Sequence, residues 1–505
     1  MGLQIQGKLI SGYNLLIIAF ATFGSITYGY CGGILVAAFG TPSFITYFGL
    51  DTDSNAAAIT GALNGLFQAG GFFGALGTGI VSDKLGRCKG MFLASVVCVA
   101  GGALQAGSVH VAMYLVARFI TGYGIGGLVM VVPLWQSEVA PPHARGLLVG
   151  LHGVSIMIGY SLSSWVGYGF YFVSDPVVSW RVPLALQCIP PLVLALGVYV
   201  IPESPRWLVE NGQEERAKAT LEKIYHNSGD PENTVADDEF GLIVSQLALE
   251  RALPSSWASI FSLPHYRKRA LIGFGVLLAG QLTGTIVVGY YQASYYTGLG
   301  FSGATSLMFS GFYMLIGMVG NGINAYLLDR VGRKWLMIAG LTGCIIALVG
   351  ISVIQALFQG TTNRGGNIAG VFFLYLHIAI YASTIDATTY VYASEIWPTH
   401  LRAKGLGISC SGLFLGSLVL SVAAPTAFAH IAWRFYVILG STCVVAIACF
   451  VRFLAETKGL PLEEIAAQFG DQVVTNTVGI AEEASSTSDR LDLTEKKGPD
   501  ATTQG

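Results

Sequence analysis

The chain has 505 residues, of which 53% are hydrophobic and only 11% are charged, and its formal net charge is −2. Soluble proteins carry about 25% charged residues, so the composition argues against a soluble protein and predicts one that crosses a bilayer several times. The 65 glycines agree with this, because small residues allow helices to pack closely in lipid.

The sequence shows no pattern typical of an enzyme, a metal site or a nucleic-acid-binding protein. The eight cysteines form no C-x-x-C pair and no disulfide framework. There is no phosphate-binding loop, no metal-ligand cluster and no Ser/His/Asp set in a soluble segment. We therefore expect no catalytic residue, no cofactor, no metal and no nucleic-acid partner.

Twelve apolar stretches are long enough to cross a bilayer, at about 20 residues each, and a polar segment separates the first six from the last six. They lie at roughly 12–38, 56–81, 91–107, 111–135, 147–171, 183–201, 270–298, 304–328, 335–358, 368–393, 406–428 and 433–454. The pattern predicts an all-α membrane protein with twelve transmembrane helices in two six-helix bundles. The predicted units are the first bundle at 1–201, a cytoplasmic helical linker at 202–269, the second bundle at 270–454 and a cytoplasmic tail at 455–505.

The linker is predicted to contain two amphipathic helices, Glu214 to Tyr225 and Asp237 to Arg251. Their Leu and Ile residues recur at helical spacing, so we expect these faces to lie against the membrane domain. The tail beyond about residue 471 is rich in Thr, Ser, Glu and Gly, a composition that predicts disorder.

Lysine and arginine are concentrated in the loops on one side of the predicted spans, whereas the opposite loops carry only Arg181, Arg364 and Arg434. Because cytoplasmic loops are enriched in these residues, both termini and the linker are predicted to be cytoplasmic. We expect a multi-pass protein of the plasma membrane, monomeric, with the lipid bilayer as its surroundings.

Three charged landmarks occur in the same order in each half, about half the chain apart, which indicates an internal duplication. The first is an Asp-Arg loop, the second a Ser-Glu pair followed by an arginine, and the third a Glu after the last apolar stretch of each half. The two copies are Asp83 with Arg87, Glu138 with Arg145 and Glu203, and then Asp329 with Arg333, Glu395 with Arg402 and Glu456.

These repeated loops resemble the major facilitator superfamily, and further motifs narrow the resemblance to its sugar porter family. They are Pro202-Glu203-Ser204-Pro205-Arg206-Trp207-Leu208, Gln281-Leu282-Thr283-Gly284 and Glu456-Thr457-Lys458-Gly459, and the run Trp165-Val166-Gly167-Tyr168-Gly169 is similar to filamentous-fungal members. The resemblance implies a membrane carrier that moves a sugar or sugar-like solute by alternating access and that is not an enzyme.

The repeated charges are interpreted as a cytoplasmic gate that holds helices together when this side is closed. One surface ion pair contributes only about 0–1 kcal/mol, but several together can bias an equilibrium between two states. The predicted gate residues are Asp83, Arg87, Glu138, Arg145, Asp329, Arg333, Glu395 and Arg402.

The resemblance also implies which residues contact the solute. Where the family has amides, this chain has Gly280, Gly153, Gly317 and Ile286, so several hydrogen-bonding groups for a hexose are missing. We expect Asp386, an ionisable residue inside a predicted span, to be functional; the alternative is a structural carboxylate bonded to neighbouring threonines. The predicted solute-binding residues are Gln281, Tyr290, Tyr291, Asp386 and Tyr390, and Tyr290 and Tyr291 are also predicted to gate the outer cavity.

The coupling position consists of Cys31 and Arg118. In proton-coupled family members the arginine faces an aspartate at the position of Cys31, and a cysteine cannot replace a carboxylate as a proton carrier. The prediction is therefore facilitated uniport. Three alternatives stay open: a proton-coupled sugar symporter that uses Asp386, with protons as a further partner; a sugar sensor that does not transport; and an exporter of a sugar-like fungal metabolite.

Overall fold

The computed structural model describes residues 3–5, 8–50, 56–141, 144–226, 233–250, 253–301, 303–358, 361, 363–460 and 462–470. The predicted disordered tail beyond about 471, and Arg251 at the end of the second predicted linker helix, lie outside the described residues. A feature that the sequence analysis did not predict is an antiparallel pair of short strands, β1 (Leu3–Ile5) and β2 (Lys8–Ile10).

The described helices follow the order expected from the apolar pattern. The first half contains α1 (Gly12–Ala21), α2 (Phe23–Phe39), α3 (Pro42–Tyr47), α4 (Ala56–Leu85), α5 (Arg87–Ala106), α6 (Val111–Val139), α7 (Arg145–Tyr171), α8 (Val178–Leu186), α9 (Ile189–Gly197) and a 3₁₀ turn, Val198–Val200. The linker contains α10 (Pro205–Glu210), α11 (Glu214–Tyr225), α12 (Thr234–Glu250) and α13 (Trp257–Ser262). The second half contains α14 (Pro264–Leu282), α15 (Thr285–Gly298), α16 (Ala304–Val331), α17 (Arg333–Phe358), α18 (Arg364–Thr384), α19 (Asp386–Glu395), a 3₁₀ turn, Thr399–Leu401, α20 (Arg402–Ile431) and α21 (Arg434–Phe453), followed by α22 (Leu462–Gln468).

In the described part of the chain, eleven helices or helix pairs are long and apolar enough to cross a membrane. The remaining predicted crossing is α4, a single helix of 30 residues that contains seven glycines. At 1.5 Å per residue α4 is also long enough to cross the bilayer, and the architecture is that of a twelve-helix membrane protein.

Several spans that the apolar pattern predicted as continuous are interrupted in the structure. The first is interrupted at Thr22, the seventh at Thr283 and Gly284, and the tenth at Ile385. Gly284 explains the second case, because it adopts the left-handed conformation with φ of +83° and a Cβ there would lie 2.6 Å from the Leu439 side chain. The seventh span therefore changes direction at the level of the cavity described below.

The two halves pack along two seams, where α4 contacts α20 and α7 contacts α16. Gly146, at the start of α7, shows how close the second seam is: a Cβ there would lie 2.1 Å from the carboxylate of Asp329 in α16. Glycine at such positions lets helices approach each other closely in a membrane.

The linker helices pack differently from the prediction. The bounds of α11 agree with it, whereas α12 begins at Thr234, before the predicted Asp237. Apolar residues of α10, α11 and α12, among them Leu208, Leu221 and Ile243, form a cluster of their own. For this cluster the expectation that the apolar faces lie against the membrane domain is wrong, because the three short helices bury these side chains on one another. Ile224, near the end of α11, is instead buried in the main core, as expected. We call the side of the molecule that carries these helices the linker face.

Candidate functional site

Arg87 forms a buried ion pair at the linker face of the first half. Its Nε and Nη2 each donate to one carboxylate oxygen of Glu138, both at 3.0 Å, and its Nη1 donates to the backbone carbonyl of Ser82. Such a two-point contact is stronger and more directional than a single ion pair. It fixes the beginning of α5 against the end of α6.

The second half repeats this arrangement around Arg333. Its Nε and Nη2 donate to the two carboxylate oxygens of Glu395 at 3.2 and 2.8 Å, and its Nη1 donates to Asp329 at 3.0 Å. The corresponding distance in the first half, between Arg87 and Asp83, is 3.8 Å. In both halves the arginine makes its two-point contact with the glutamate and not with the aspartate of the Asp-Arg loop.

A third carboxylate caps a helix in each half. Glu203 accepts hydrogen bonds from the backbone N–H groups of Arg87 and Cys88, at 2.9 and 3.1 Å. Glu456 accepts from those of Arg333 and Lys334, at 2.8 and 3.1 Å. A negative charge is favoured at a helix N-terminus, where the N–H groups have no partner in the helix.

The carboxyl group of Glu203 is subject to opposing influences. Burial raises its pKa, whereas hydrogen bonds from the backbone of Ser204, Cys88 and Arg87 and the charge of Arg87 act to lower it. Burial is the larger influence, and the pKa of Glu203 lies above its ordinary value.

Direct links between the two halves at the linker face involve Asp83 and Lys404. The Lys404 ammonium lies 3.1 Å from the Asp83 carboxylate, and it also donates to the carbonyl of Ser255 in the linker at 2.9 Å. The carbonyl of Asp83 accepts a hydrogen bond from the Trp207 indole at 2.8 Å. Lys404 was not among the predicted gate residues, although it follows Arg402 in the same charged loop.

The other two predicted gate arginines are buried beside these groups. Arg402 donates from Nε to the carbonyl of Trp397 at 3.2 Å and interacts electrostatically with Glu138 of the opposite half. Arg145 is buried at the first position of α7. The structure thus brings all eight predicted gate residues to one face.

A small cavity lies between the two halves, near the interruptions of the seventh and tenth spans. Its volume is about 50 Å³, well below the roughly 300 Å³ at which small-molecule sites begin. Its wall is rich in phenol groups and includes one carboxylate and one amide. The polar lining side chains are Tyr28, Tyr160, Gln281, Thr285, Tyr290, Tyr313, Tyr381, Asp386 and Tyr390.

Asp386 begins α19 and is 5% exposed. Its carboxylate accepts hydrogen bonds from the Asn321 amide at 2.8 Å and from the Tyr381 hydroxyl at 3.5 Å. In the described part of the chain no cation pairs with it. The alternative in which neighbouring threonine hydroxyls satisfy the carboxylate is wrong, because these hydroxyls donate elsewhere. Those of Thr384 and Thr389 donate to backbone carbonyls, and the single proton of the Thr388 hydroxyl is directed to Asn324 or to the carbonyl of Thr384.

Gly153 and Gly280 stand where the sugar porter pattern has amide side chains. Side chains from other helices occupy part of the space beside them. A Cβ at Gly153 would lie 2.6 Å from the Asn321 side chain, and one at Gly280 would lie 4.0 Å from the Tyr381 hydroxyl. The sequence analysis did not identify Asn321 as a site residue. It lies four residues after Gly317 on α16, so helical spacing could have identified it on the same face.

Tyr290 connects the halves on the opposite side of the cavity. Its hydroxyl accepts a hydrogen bond from the Gln68 amide of α4 at 3.0 Å, whereas the Tyr291 hydroxyl donates to the carbonyl of Ser421 within the second half. Tyr390 lines the cavity, and its ring lies 4.9 Å from that of His152. Gln68 was also not predicted, because its partner lies 222 residues away.

Arg118 is fully buried in α6, close to Cys31. Its Nη1 donates to the backbone carbonyl of Cys31 at 3.0 Å, its Nε donates to that of Leu63 at 3.1 Å, and the guanidinium lies 4.2 Å from the ring centroid of Phe67. Nη2 has no hydrogen-bond partner. Within the described ranges no carboxylate pairs with this buried cation.

Comparisons with known proteins agree with this geometry. A family model described as sugar (and other) transporter matches residues 17–469. The MFS-type transporter criB of Aspergillus cristatus is 34% identical over 89% of this chain and 92% of its own length. High-affinity glucose transporter 1 of Candida albicans is 29% identical over 92% of this chain and 88% of its own length.

Solved structures give the same fold. The proton:xylose symporter XylE bound to 6-bromo-6-deoxy-D-glucose matches with a TM-score of 0.80 at 25% identity, over 90% of this chain and 99% of the other. The inward-open conformation of XylE from E. coli matches with a TM-score of 0.69. The conformation described above is therefore less similar to the inward-open structure of XylE than to the structure bound to the sugar derivative.

Proposed function

The chain belongs to the sugar (and other) transporter family, and from this premise we propose that it is a facilitative carrier, a uniporter, for a sugar-like solute. The linker face is taken as cytoplasmic, in agreement with its lysines and arginines. The proposed mechanism is alternating access, in which the two halves rock about the central cavity.

The observation that carries the uniport proposal is that no carboxylate in the described part of the chain pairs with Arg118. In the proton-coupled family pattern this arginine faces a carboxylate, and here its neighbour Cys31 offers only a backbone carbonyl. Because no carboxylate of the described residues lies beside this guanidinium, the position offers no acidic group that could carry a proton in the way the family's aspartate does. Net uptake should then depend on the solute gradient alone.

The experiment is uptake by the purified full chain in liposomes, with and without an inward proton gradient, using a panel of labelled sugars. We expect equal initial rates in the two conditions. We also expect Cys31→Asp, which places a carboxylate beside Arg118, to make uptake faster with the gradient. Acidification of the liposome lumen that accompanies solute entry in the wild type would overturn uniport.

A second candidate, proton symport through Asp386, is favoured by one specific observation. An ionised carboxylate is costly to bury without a cation, and among the described residues the partners of Asp386 are the neutral side chains of Asn321 and Tyr381. This candidate predicts uptake that an ionophore inhibits and that loses its proton dependence in Asp386→Asn. Asn321→Ala is the matched control, because it removes a neutral hydrogen-bond donor to Asp386 and leaves the carboxylate in place.

The cavity wall also supports a solute with fewer hydroxyl groups than a hexose. Apolar side chains such as Ile156, Met157 and Ile286 lie between the phenol groups. A buried hydroxyl that finds no partner costs about 1–3 kcal/mol, so each missing amide disfavours a fully hydroxylated sugar. A panel in which glucose and its deoxy derivatives compete for uptake tests this; a clear preference for glucose would contradict it.

A further inference from the structure

A long groove on the membrane-facing surface, between α14 and α21, is distinct from the central cavity. We call it the α14–α21 groove; its lining includes Leu271, Gly275 and Leu278 on α14 and Val445, Cys449 and Phe453 on α21. Its volume is about 780 Å³. Leu271, Val445 and Phe453 are each more than half exposed, so the groove opens toward the surrounding lipid.

One end of the groove is positively charged. Arg267 and Lys268 line it there, and both are exposed. The Lys268 ammonium lies 6.0 Å from the ring centroid of Phe469. In the described part of the chain no acidic side chain pairs with either cation. The charged end lies at the linker face, since both residues are near the start of α14, directly after the linker helix α13.

The groove has the length of one lipid leaflet. From Arg267 to Leu282, the last groove residue on α14, are fifteen residues, or about 22 Å at 1.5 Å per residue. A bilayer with its headgroups is about 40–45 Å thick, so one leaflet is about 20–22 Å. The two cations therefore lie at headgroup depth when the apolar part of the groove lies beside acyl chains.

We propose that the α14–α21 groove binds one phospholipid with an anionic headgroup, with the phosphate and its anionic substituent at Arg267 and Lys268 and an acyl chain along the apolar part. Basic pockets between transmembrane helices at the cytoplasmic side suit such headgroups. The occupant is a lipid and not free phosphate, because nearly all of the groove surface is apolar.

The deep end of the groove lies next to the interruption of the seventh span, so a lipid bound there can influence the transport movement. Leu282 and Thr442 lie there, and the Thr442 hydroxyl donates to the carbonyl of Leu282 at 3.0 Å. The next residues, Thr283 and Gly284, interrupt the seventh span. An acyl chain in the groove therefore contacts the segment at which α14 and α15 meet, and its presence should change the rate at which this span moves.

The test is lipid binding to the purified full chain in detergent, measured by native mass spectrometry with dioleoylphosphatidylserine and, as the neutral arm, dioleoylphosphatidylcholine. We expect phosphatidylserine to be retained in preference. Arg267→Gln with Lys268→Gln should lower its affinity by about fivefold per cation. Lys84→Gln with Lys89→Gln removes the same charge from exposed positions on α4 and α5 and should leave binding unchanged.

A second variant tests the apolar part without changing charge. A Cβ at Gly275 meets no atom within 4 Å, so the side chain of Gly275→Leu has space to extend into the groove, and leucine favours the helix more than glycine does. It should reduce the binding of both lipids, with thermal unfolding of the protein as the check on folding. Equal retention of the two lipids by the wild type, equal loss in the Lys84/Lys89 control, or undiminished binding by Gly275→Leu would each overturn the proposal.

Discussion

The ion pair between Asp83 and Lys404 provides the most direct test of the gate, because it joins the two halves. Its charged atoms are 3.1 Å apart, and the side chains are 22% and 18% exposed. Partial burial places the pair near the upper end of the range for surface pairs, about 1 kcal/mol. Asp83→Asn should therefore shift the equilibrium toward the state that is open at the linker face by about fivefold.

Alkylation of a cysteine on the α7–α16 seam reports this shift. Val149 on α7 is 1% exposed and packs with Leu328 and Val391 of the other half. In a Cys449→Ser background, which removes the exposed native cysteine, Val149→Cys should react with a hydrophilic maleimide only when the halves separate. The reaction rate should be about fivefold higher when Asp83→Asn is added.

A matched control is the ion pair between Lys218 and Asp237, at 2.9 Å, which lies within the linker and does not join the halves. Asp237→Asn should leave the alkylation rate unchanged, whereas Lys404→Gln should raise it as Asp83→Asn does. Because the two groups act as one pair, the double variant should add little to either single change. The reasoning is refuted if Asp83→Asn reacts at the wild-type rate, or if Asp237→Asn reacts as fast as Asp83→Asn.

Two further predictions concern the far side of the cavity and the helix caps. Tyr290→Phe removes the acceptor for the Gln68 amide, which costs about 1–3 kcal/mol where the group stays buried, so a cysteine probe on the outer side of the cavity should be labelled at least fivefold faster than in the wild type. The control is Tyr375→Phe, because the Tyr375 hydroxyl donates to the Phe309 carbonyl within the second half, and it should leave the labelling rate unchanged. Glu203→Gln and Glu456→Gln each weaken the cap of one helix, which is worth about 0.5–2 kcal/mol, and each should lower the thermal unfolding temperature in detergent; an unchanged unfolding temperature in both would show that the caps do not stabilise the fold.

The duplicated fold could be predicted from the sequence because its signals are local. Apolar length gives the number of crossings, and the repeated loops place Arg87 and Arg333 in equivalent positions. The structure shows that these positions also have equivalent partners, Glu138 and Glu395. Charge pattern alone could not show that Asp83 would lie closest to Lys404 of the other half, because that contact depends on how the halves pack.

The candidate site was less predictable, because its polar groups come from helices that are distant in sequence. Apolar composition does not show where a helix is interrupted, and the interruption at Ile385 is what allows Asp386 to begin a new helix beside the cavity. Gln68 could not be identified, because a single amide within an apolar stretch forms no pattern, whereas for Asn321 the sequence offered only its helical spacing from Gly317. Their importance follows from their partners, Asp386 and Tyr290, which only the three-dimensional arrangement shows.

Both seams between the halves depend on close packing at glycines, and one of them also carries an ion pair. On the α7–α16 seam, a methyl group at Gly146 would require the Asp329 side chain to shift. On the α4–α20 seam, a Cβ at Gly71 would lie 2.3 Å from the ring of Phe414, and one at Gly407 would lie 2.9 Å from the carbonyl of Ala75. The α4–α20 seam also carries the ion pair of Asp83 and Lys404, which salt screens over about 8 Å at physiological ionic strength. Opening of the linker face should therefore have a salt-dependent part, which is lost in Asp83→Asn, and a part that depends on the size of the residue at the glycine positions and not on salt.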